Sequence, residues 1–141
     1  MKFKTLYGKE KPVRNAYRLK IKWNGKSRSK FQKSVKKLLY PHWRHDLVFE
    51  EFKIPGSMLS IDFYNHTKRI AIEVQGAQHI RYIEHFHKSK SNFIRQIRRD
   101  CKKQEFCDIN DIKLIEIYPD DELTDSYITS ILEGVNNNDE E

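Results

Sequence analysis

Two short runs decide the fold: Leu59-Ser60-Ile61-Asp62-Phe63-Tyr64 and Ile70-Ala71-Ile72-Glu73-Val74-Gln75. In both, apolar residues alternate with polar or small ones, and β-branched and aromatic side chains dominate, as in strands. Only Asn65-His66-Thr67-Lys68 and Arg69 separate them, so the pair reads as an antiparallel hairpin. Alternation puts Leu59, Ile61 and Phe63 on one apolar face with Ile70, Ile72 and Val74. The opposite face then carries Ser60, Asp62 and Tyr64 beside Ala71, Glu73 and Gln75. Asp62 and Glu73 fall on one side of adjacent strands, directly opposite or diagonal, roughly 5–8 Å apart.

The flanking sequence supplies the rest of an α/β domain. Leu47 to Ile54 reads as a strand ended by Pro55-Gly56, and Met58 to Tyr64 and Arg69 to Gln75 follow it. Ile112 to Tyr118 reads as a buried strand closed by Pro119. A helix begins at a Ser27 or Ser29 cap and runs to about Tyr40, ahead of Pro41. Its Phe31, Val35 and Leu38 form an apolar stripe, and Lys30, Lys33 and Lys37 a basic one. A second helix spans about Lys90 to Asp108. Asp120 or Asp121 caps a last helix in which Leu123, Tyr127 and Ile131 share a face and which Gly134 ends. Residues 1–16 read as an extended arm. Tyr17, Leu19, Ile21 and Trp23 alternate with Arg18, Lys20 and Lys22, which is strand-like, and Asn24-Gly25 marks a turn. The expected organisation is a basic arm over 1–27, one domain over 28–134 and an acidic flexible tail over 135–141.

The 141 residues suit one domain. Apolar residues at 38% and aromatics at 12% suffice for a core. No apolar run approaches the roughly 20 residues a membrane span needs, and Met1-Lys2-Phe3-Lys4 is followed by no apolar secretory segment. Cys101 and Cys107 make no disulfide framework, so a reducing cytoplasm (a host cell's, for a phage-encoded chain) is the expected compartment. The net charge of +7 hides an asymmetry: residues 1–40 carry 14 Lys/Arg against Glu10 alone, and the remainder is net acidic. That pattern points to a polyanion, most often nucleic acid. Lys20, Lys22, Trp23, Lys26 and Arg28, with Lys30, Lys33 and Lys37, are the candidate contacts; a solvated basic tail is the bland alternative.

Two close carboxylates repel unless a proton or cation lies between them. Mg²⁺ suits such a pair, because it takes oxygen ligands and needs only one or two protein carboxylates. The competing reading is a solvent-facing polar sheet surface whose acids pair with Lys or Arg. After Gly76, Gln78 and His79 follow at once, which puts His79 beside the carboxylates as a candidate acid–base group or metal ligand. Phe93, Gln96, Asp100, Lys103 and Cys107 step by 3 and 4 and share a helix face. Charge on such a face needs partners: Asp100 and Lys103 pair with each other, orient His79 or bind phosphate. Arg95, Arg98, Arg99 and Lys102 decorate the other sides. The cysteine spacing does not match a zinc site.

In order and spacing these pieces resemble the restriction-endonuclease-like superfamily, the PD-(D/E)xK nucleases. The likeness is greatest to small proteins similar to very-short-patch repair endonucleases and to phage or homing endonucleases. It covers roughly residues 47–118 and rests on 59–64, on 70–76 with Gln78 and His79, on Gln96, Arg99, Asp100, Lys103 and Cys107, and on 112–117. It implies a mixed β-sheet core flanked by helices, with a basic N-terminal extension, and a DNA endonuclease dependent on Mg²⁺ or Mn²⁺. It implies that Asp62 and Glu73 bind the metal, that His79 is catalytic and that Asp100 and Lys103 support the site. It also calls for an upstream acid, Glu51 or its neighbour Glu50. Two positions depart from the family pattern. Ile61 stands where a proline usually precedes the first acid, and Gln75 stands where the family usually has Lys, so Lys103 or His79 is needed to supply the missing chemistry. DNA is the implied partner, with Arg95 and Arg99 added to the contact set; no dimer surface is legible. A non-catalytic DNA-binding module on the same fold, or a basic RNA-binding protein, are the rival readings.

Overall fold

The computed structural model describes residues 1–75, 90–118 and 122–139. Its centre is a four-stranded sheet of β3 (Val48–Lys53), β4 (Ser60–Asn65), β5 (Ile70–Val74) and β6 (Lys113–Ile117), in that spatial order. β3, β4 and β5 are successive antiparallel neighbours, and β6 lies parallel to β5. A parallel neighbour requires a crossover, and helix α3 (Lys90–Ile109) lies in it. The other helices among the described residues are α1 (Ala16–Leu19), α2 (Lys30–Trp43) and α4 (Asp125–Asp139). A small antiparallel ribbon, β1 (Lys2–Lys4) with β2 (Glu10–Pro12), precedes them.

Apolar cores lie on both faces of the sheet. On one, Val35, Leu39 and Trp43 of α2 and Ile128 and Leu132 of α4 pack on Val48, Phe63, Ile70, Ile72 and Ile117. On the other, Phe106 and Cys107 of α3 and Phe3 of β1 pack on Phe49, Phe52, Ile61, Tyr64 and Ala71. Phe3 meets Phe52 and Tyr64 edge-on, with ring centroids 5.6 and 5.8 Å apart, a favoured aromatic geometry.

Several expectations need correction. Residues 1–16 are not an extended arm: they form the β1–β2 ribbon, and Phe3 is buried at the centre of a core. Residues 17–23 form no regular strand. They pass from the α1 turn along the edge of β3, with Lys20 bridging Phe49 and Ile21 donating to the Val48 carbonyl at 2.9 Å, which covers that sheet edge. Helix α2 takes the Ser29 cap, whose side chain accepts from the Gln32 amide, and continues through Pro41 to Trp43. Proline in a helix costs about 3 kcal/mol, and burying Trp43 offsets it. β6 is an edge strand with Lys113 and Glu116 exposed, not a wholly buried one. Helix α4 starts at Asp125, where Thr124 Oγ1 accepts from the Tyr127 amide, and runs past Gly134 to Asp139. Asp120 and Asp121 lie outside the described residues.

The alternation along the hairpin also breaks. Ile61 and Tyr64, three residues apart, share one core, while Phe63 between them belongs to the other. On the paired strand Phe49 and Phe52 likewise share a core, and Glu51 between them has φ of +54°. One residue outside the β region reverses which face the following side chains reach. Both faces of the hairpin are therefore covered, Tyr64 and Ala71 included, and the break falls at Glu51 and Asp62.

Candidate active site

The register of β4 on β5 pairs Phe63 with Ile72, so Asp62 stands across from Glu73. The regular ladder ends there, and Asp62 Oδ2 instead accepts from the Val74 amide at 2.7 Å. Asp62 and Glu73 are 8% and 7% exposed. That excludes the solvent-facing sheet surface. Their carboxyl groups lie within hydrogen-bonding reach of each other. Burial raises the pKa of both. Glu73 is pushed up to about 8, first by desolvation and next by the Asp62 charge; Lys103 opposes this. For Asp62, desolvation outweighs the Val74 hydrogen bond, and the Glu51 charge adds to it. Without a cation, the pair holds a proton on Glu73 at neutral pH.

The two upstream acids have separate roles. Glu50 is tied down: its Oε1 is 2.9 Å from Lys36 Nζ, and its Oε2 accepts from Ser27 Oγ at 2.7 Å and from Gln32 Nε2 at 2.9 Å. Glu51 keeps more freedom. Gln32 Nε2 donates to its Oε1 at 3.1 Å, and its charge acts on Asp62. A glutamate in the left-handed region costs on the order of 1–3 kcal/mol, so surrounding structure must hold Glu51 there. Glu51, rather than Glu50, is the acid whose charge bears on Asp62.

Lys103 reaches across from α3, its Nζ 3.2 Å from Glu73 Oε1. That oxygen is buried and makes no well-formed hydrogen bond, which leaves a lone pair for a further electropositive partner. Lys103 pairs with the carboxylate site, while Asp100 Oδ1 accepts from Gln96 Nε2 at 3.0 Å. Gln75 is 7% exposed, and its backbone N–H donates to the Ile117 carbonyl at 2.8 Å. Ile97, which follows Gln96 on α3, is exposed. Cys107 is a buried core thiol pushed up to about 12 by burial. Gly76, Gln78 and His79 lie outside the described residues.

The basic candidates lie on several elements, and part of the set shares a cleft with Glu50 and Glu51. Arg18, Lys20, Lys22, Lys26 and Arg28 line a cleft of about 220 Å³ together with Glu50 and Glu51. Lys30, Lys33 and Lys37 are exposed on α2, and Arg95 and Arg99 on α3. Trp23 is half-buried, edge-on to Tyr40 at 5.4 Å, so it packs rather than projects.

Two contributing residues escaped sequence reasoning: Gln32 and Lys36. Lys36 is 1% exposed and also donates to the Gly25 carbonyl at 3.2 Å. The available signal was their position. With Val35, Leu39 and Trp43 they lie on the inward stripe of α2, and polar residues there imply a satisfied buried network.

Among the described residues, no group of three or more His, Cys, Asp or Glu side chains closes into a complete metal cage. The Asp62–Glu73 pair with an under-satisfied oxygen nevertheless fits a cation that keeps most of its waters.

The chain is 42% identical over 59 residues to uncharacterized protein 307L of Invertebrate iridescent virus 6, covering 42% of this chain and 30% of the relative. It is 41% identical over 63 residues to uncharacterized protein 094L of Frog virus 3 (isolate Goorha), covering 44% and 41% respectively. It is 36% identical over 64 residues to uncharacterized protein 033L of Invertebrate iridescent virus 3, covering 45% and 33%. The matched part thus spans 30 to 41% of the length of these relatives. No family model and no solved structure matches the chain. Among the described residues no helix is long and apolar enough to cross a membrane.

Proposed function

We propose that this chain is a divalent-cation-dependent DNA endonuclease with a restriction-endonuclease-like fold. One observation carries the reading: Asp62 of β4 and Glu73 of β5 are buried side by side, and Glu51 of β3 and Lys103 of α3, from two further elements, act on Asp62, with Lys103 also paired to Glu73. Unpaired charge is expensive there, and a purely structural cluster gains nothing by raising the carboxyl pKa values of both partners. Perturbed carboxyls of this kind cluster at functional sites.

Asp62 and Glu73 are the groups that would hold Mg²⁺ or Mn²⁺. When bound, the cation supplies electrophilic polarisation of a phosphodiester and a more acidic water. The chain's own residues do the rest. The Val74 amide fixes the Asp62 carboxylate. Lys103 offsets negative charge beside Glu73 and is positioned to stabilise charge developing on phosphate, the part Lys usually plays at the position of Gln75. Glu51, held by Gln32, accepts a proton or a water hydrogen at the edge of the site. The exposed lysines and arginines of the cleft beside Glu51 would neutralise DNA phosphates.

The test is incubation of supercoiled, linear and branched DNA with Mg²⁺ or Mn²⁺, with chelator and Asp62→Ala controls. Metal-dependent cleavage lost in Asp62→Ala is the expected result. Cleavage that persists in chelator or in Asp62→Ala refutes the metal-centred reading. Binding without cleavage of any form favours the non-catalytic module, the reading that Gln75 itself supports.

A further inference from the structure

The cleft beside Glu51 does not end where the N-terminal cations do. It adjoins a second cleft of about 600 Å³ through shared residues Arg18 and Leu19. The second adjoins a third of about 710 Å³ through Lys11, Gly56 and Ser57. The three clefts thus follow one another through shared lining residues, and we treat the series as one groove. It runs from Glu51, past α1 and the turn between β3 and β4, to the outer side of α3. Twelve lysines and arginines line it, all exposed, and Glu50 and Glu51 are its only acids among the described residues. None of the twelve joins an ion pair seen among the described residues. The middle stretch contributes Lys11, Arg14 and Lys53, and the far end Arg98 and Lys102. The far end also presents Tyr7 and Met58, 81% and 87% exposed.

We infer that this groove carries a single-stranded segment of nucleic acid leading away from the carboxylate site. Rows of exposed cations track a phosphate backbone, and aromatic side chains among them stack on bases. Bases within a duplex keep their faces covered by their neighbours and cost a few kcal/mol per step to unstack, so an exposed Tyr7 ring stacks more cheaply on an unpaired base. The segment is then the unpaired tail of a branched or tailed DNA whose duplex part lies at the carboxylates. This inference rests on the nucleic-acid reading above, though not on catalysis.

The experiment measures binding of the full chain, in chelator, to a fluorescent duplex bearing a single-stranded tail and to the same duplex made blunt, across a range of salt. Tighter binding of the tailed duplex is expected. Lys11→Ala/Arg14→Ala/Lys53→Ala should reduce the salt slope for the tailed duplex by about 2, at about 0.7 per phosphate contact on a single strand. The slope for the blunt duplex should stay unchanged. Tyr7→Ala should weaken tailed-duplex binding about fivefold or more, again sparing the blunt form. All four residues are exposed, and an unchanged melting temperature checks that folding is intact. Equal losses on both duplexes, or no loss on the tailed one, overturn the groove assignment and leave the endonuclease reading standing. A wild-type chain that binds neither DNA refutes both.

Discussion

The proton on Glu73 makes a quantitative prediction. In the folded chain its carboxyl is pushed up to about 8, while its ordinary value is 4.5. The folded state therefore binds a proton more tightly than the unfolded state between those limits, and stability falls as pH rises through that window. Each pH unit well inside it costs about 1.4 kcal/mol, so raising pH from 5 to 8 should cost on the order of 3 kcal/mol. Glu73 is 7% exposed, so solvent screens little of this. Asp62, also raised, acts in the same direction. Urea unfolding in chelator at several pH values gives the wild-type curve. Glu73→Gln, which cannot ionise, should flatten most of it. Added Mg²⁺ should stabilise the wild type more at pH 8.5 than at pH 5.5, because a cation must displace the proton. Coincident curves for wild type and Glu73→Gln would refute the buried-carboxyl argument, as would stability that rises across the window.

Three further outcomes follow from the same contacts. Lys36→Met should destabilise by about 3–5 kcal/mol by leaving Glu50 buried and uncompensated, and Lys36→Met/Glu50→Leu should recover much of it in chemical unfolding. Phe3→Ala should cost about 3–5 kcal/mol, visible as a lower melting temperature; an unchanged one would detach the N-terminal ribbon from the core. Lys103→Gln should lower DNA cleavage at least 100-fold and slow it even at saturating DNA, while Gln75→Lys in that background restores part of the rate.

The placement of the two acids and Lys103 was more legible than the folding of the chain around them. The strand pair, the opposition of Asp62 and Glu73, and Lys103 on the inward face of α3 all follow from periods of 2 and 3.6. What misled was local irregularity. A single left-handed residue, Glu51, reversed the faces beyond it, and period-2 reasoning has no means of anticipating that. The lysines around Phe3 read as an arm because charge dominates their composition, yet one phenylalanine among four aromatic partners outweighs them. Gln32 and Lys36 escaped because their partners, Glu50, Glu51 and Ser27, are distant along the chain. His79 falls outside the described residues.

The crossover between β5 and β6 has a consequence for when the site comes into being. Glu51, Asp62 and Glu73 lie within one local meander, but Lys103 lies on α3, beyond the crossover. A nascent chain still emerging from the ribosome possesses the acids without the cation that answers them. Joining the two halves closes a loop of some thirty residues, and such long-range pairing forms late. The carboxylate site is therefore complete only once α3 has been made and docked on the sheet.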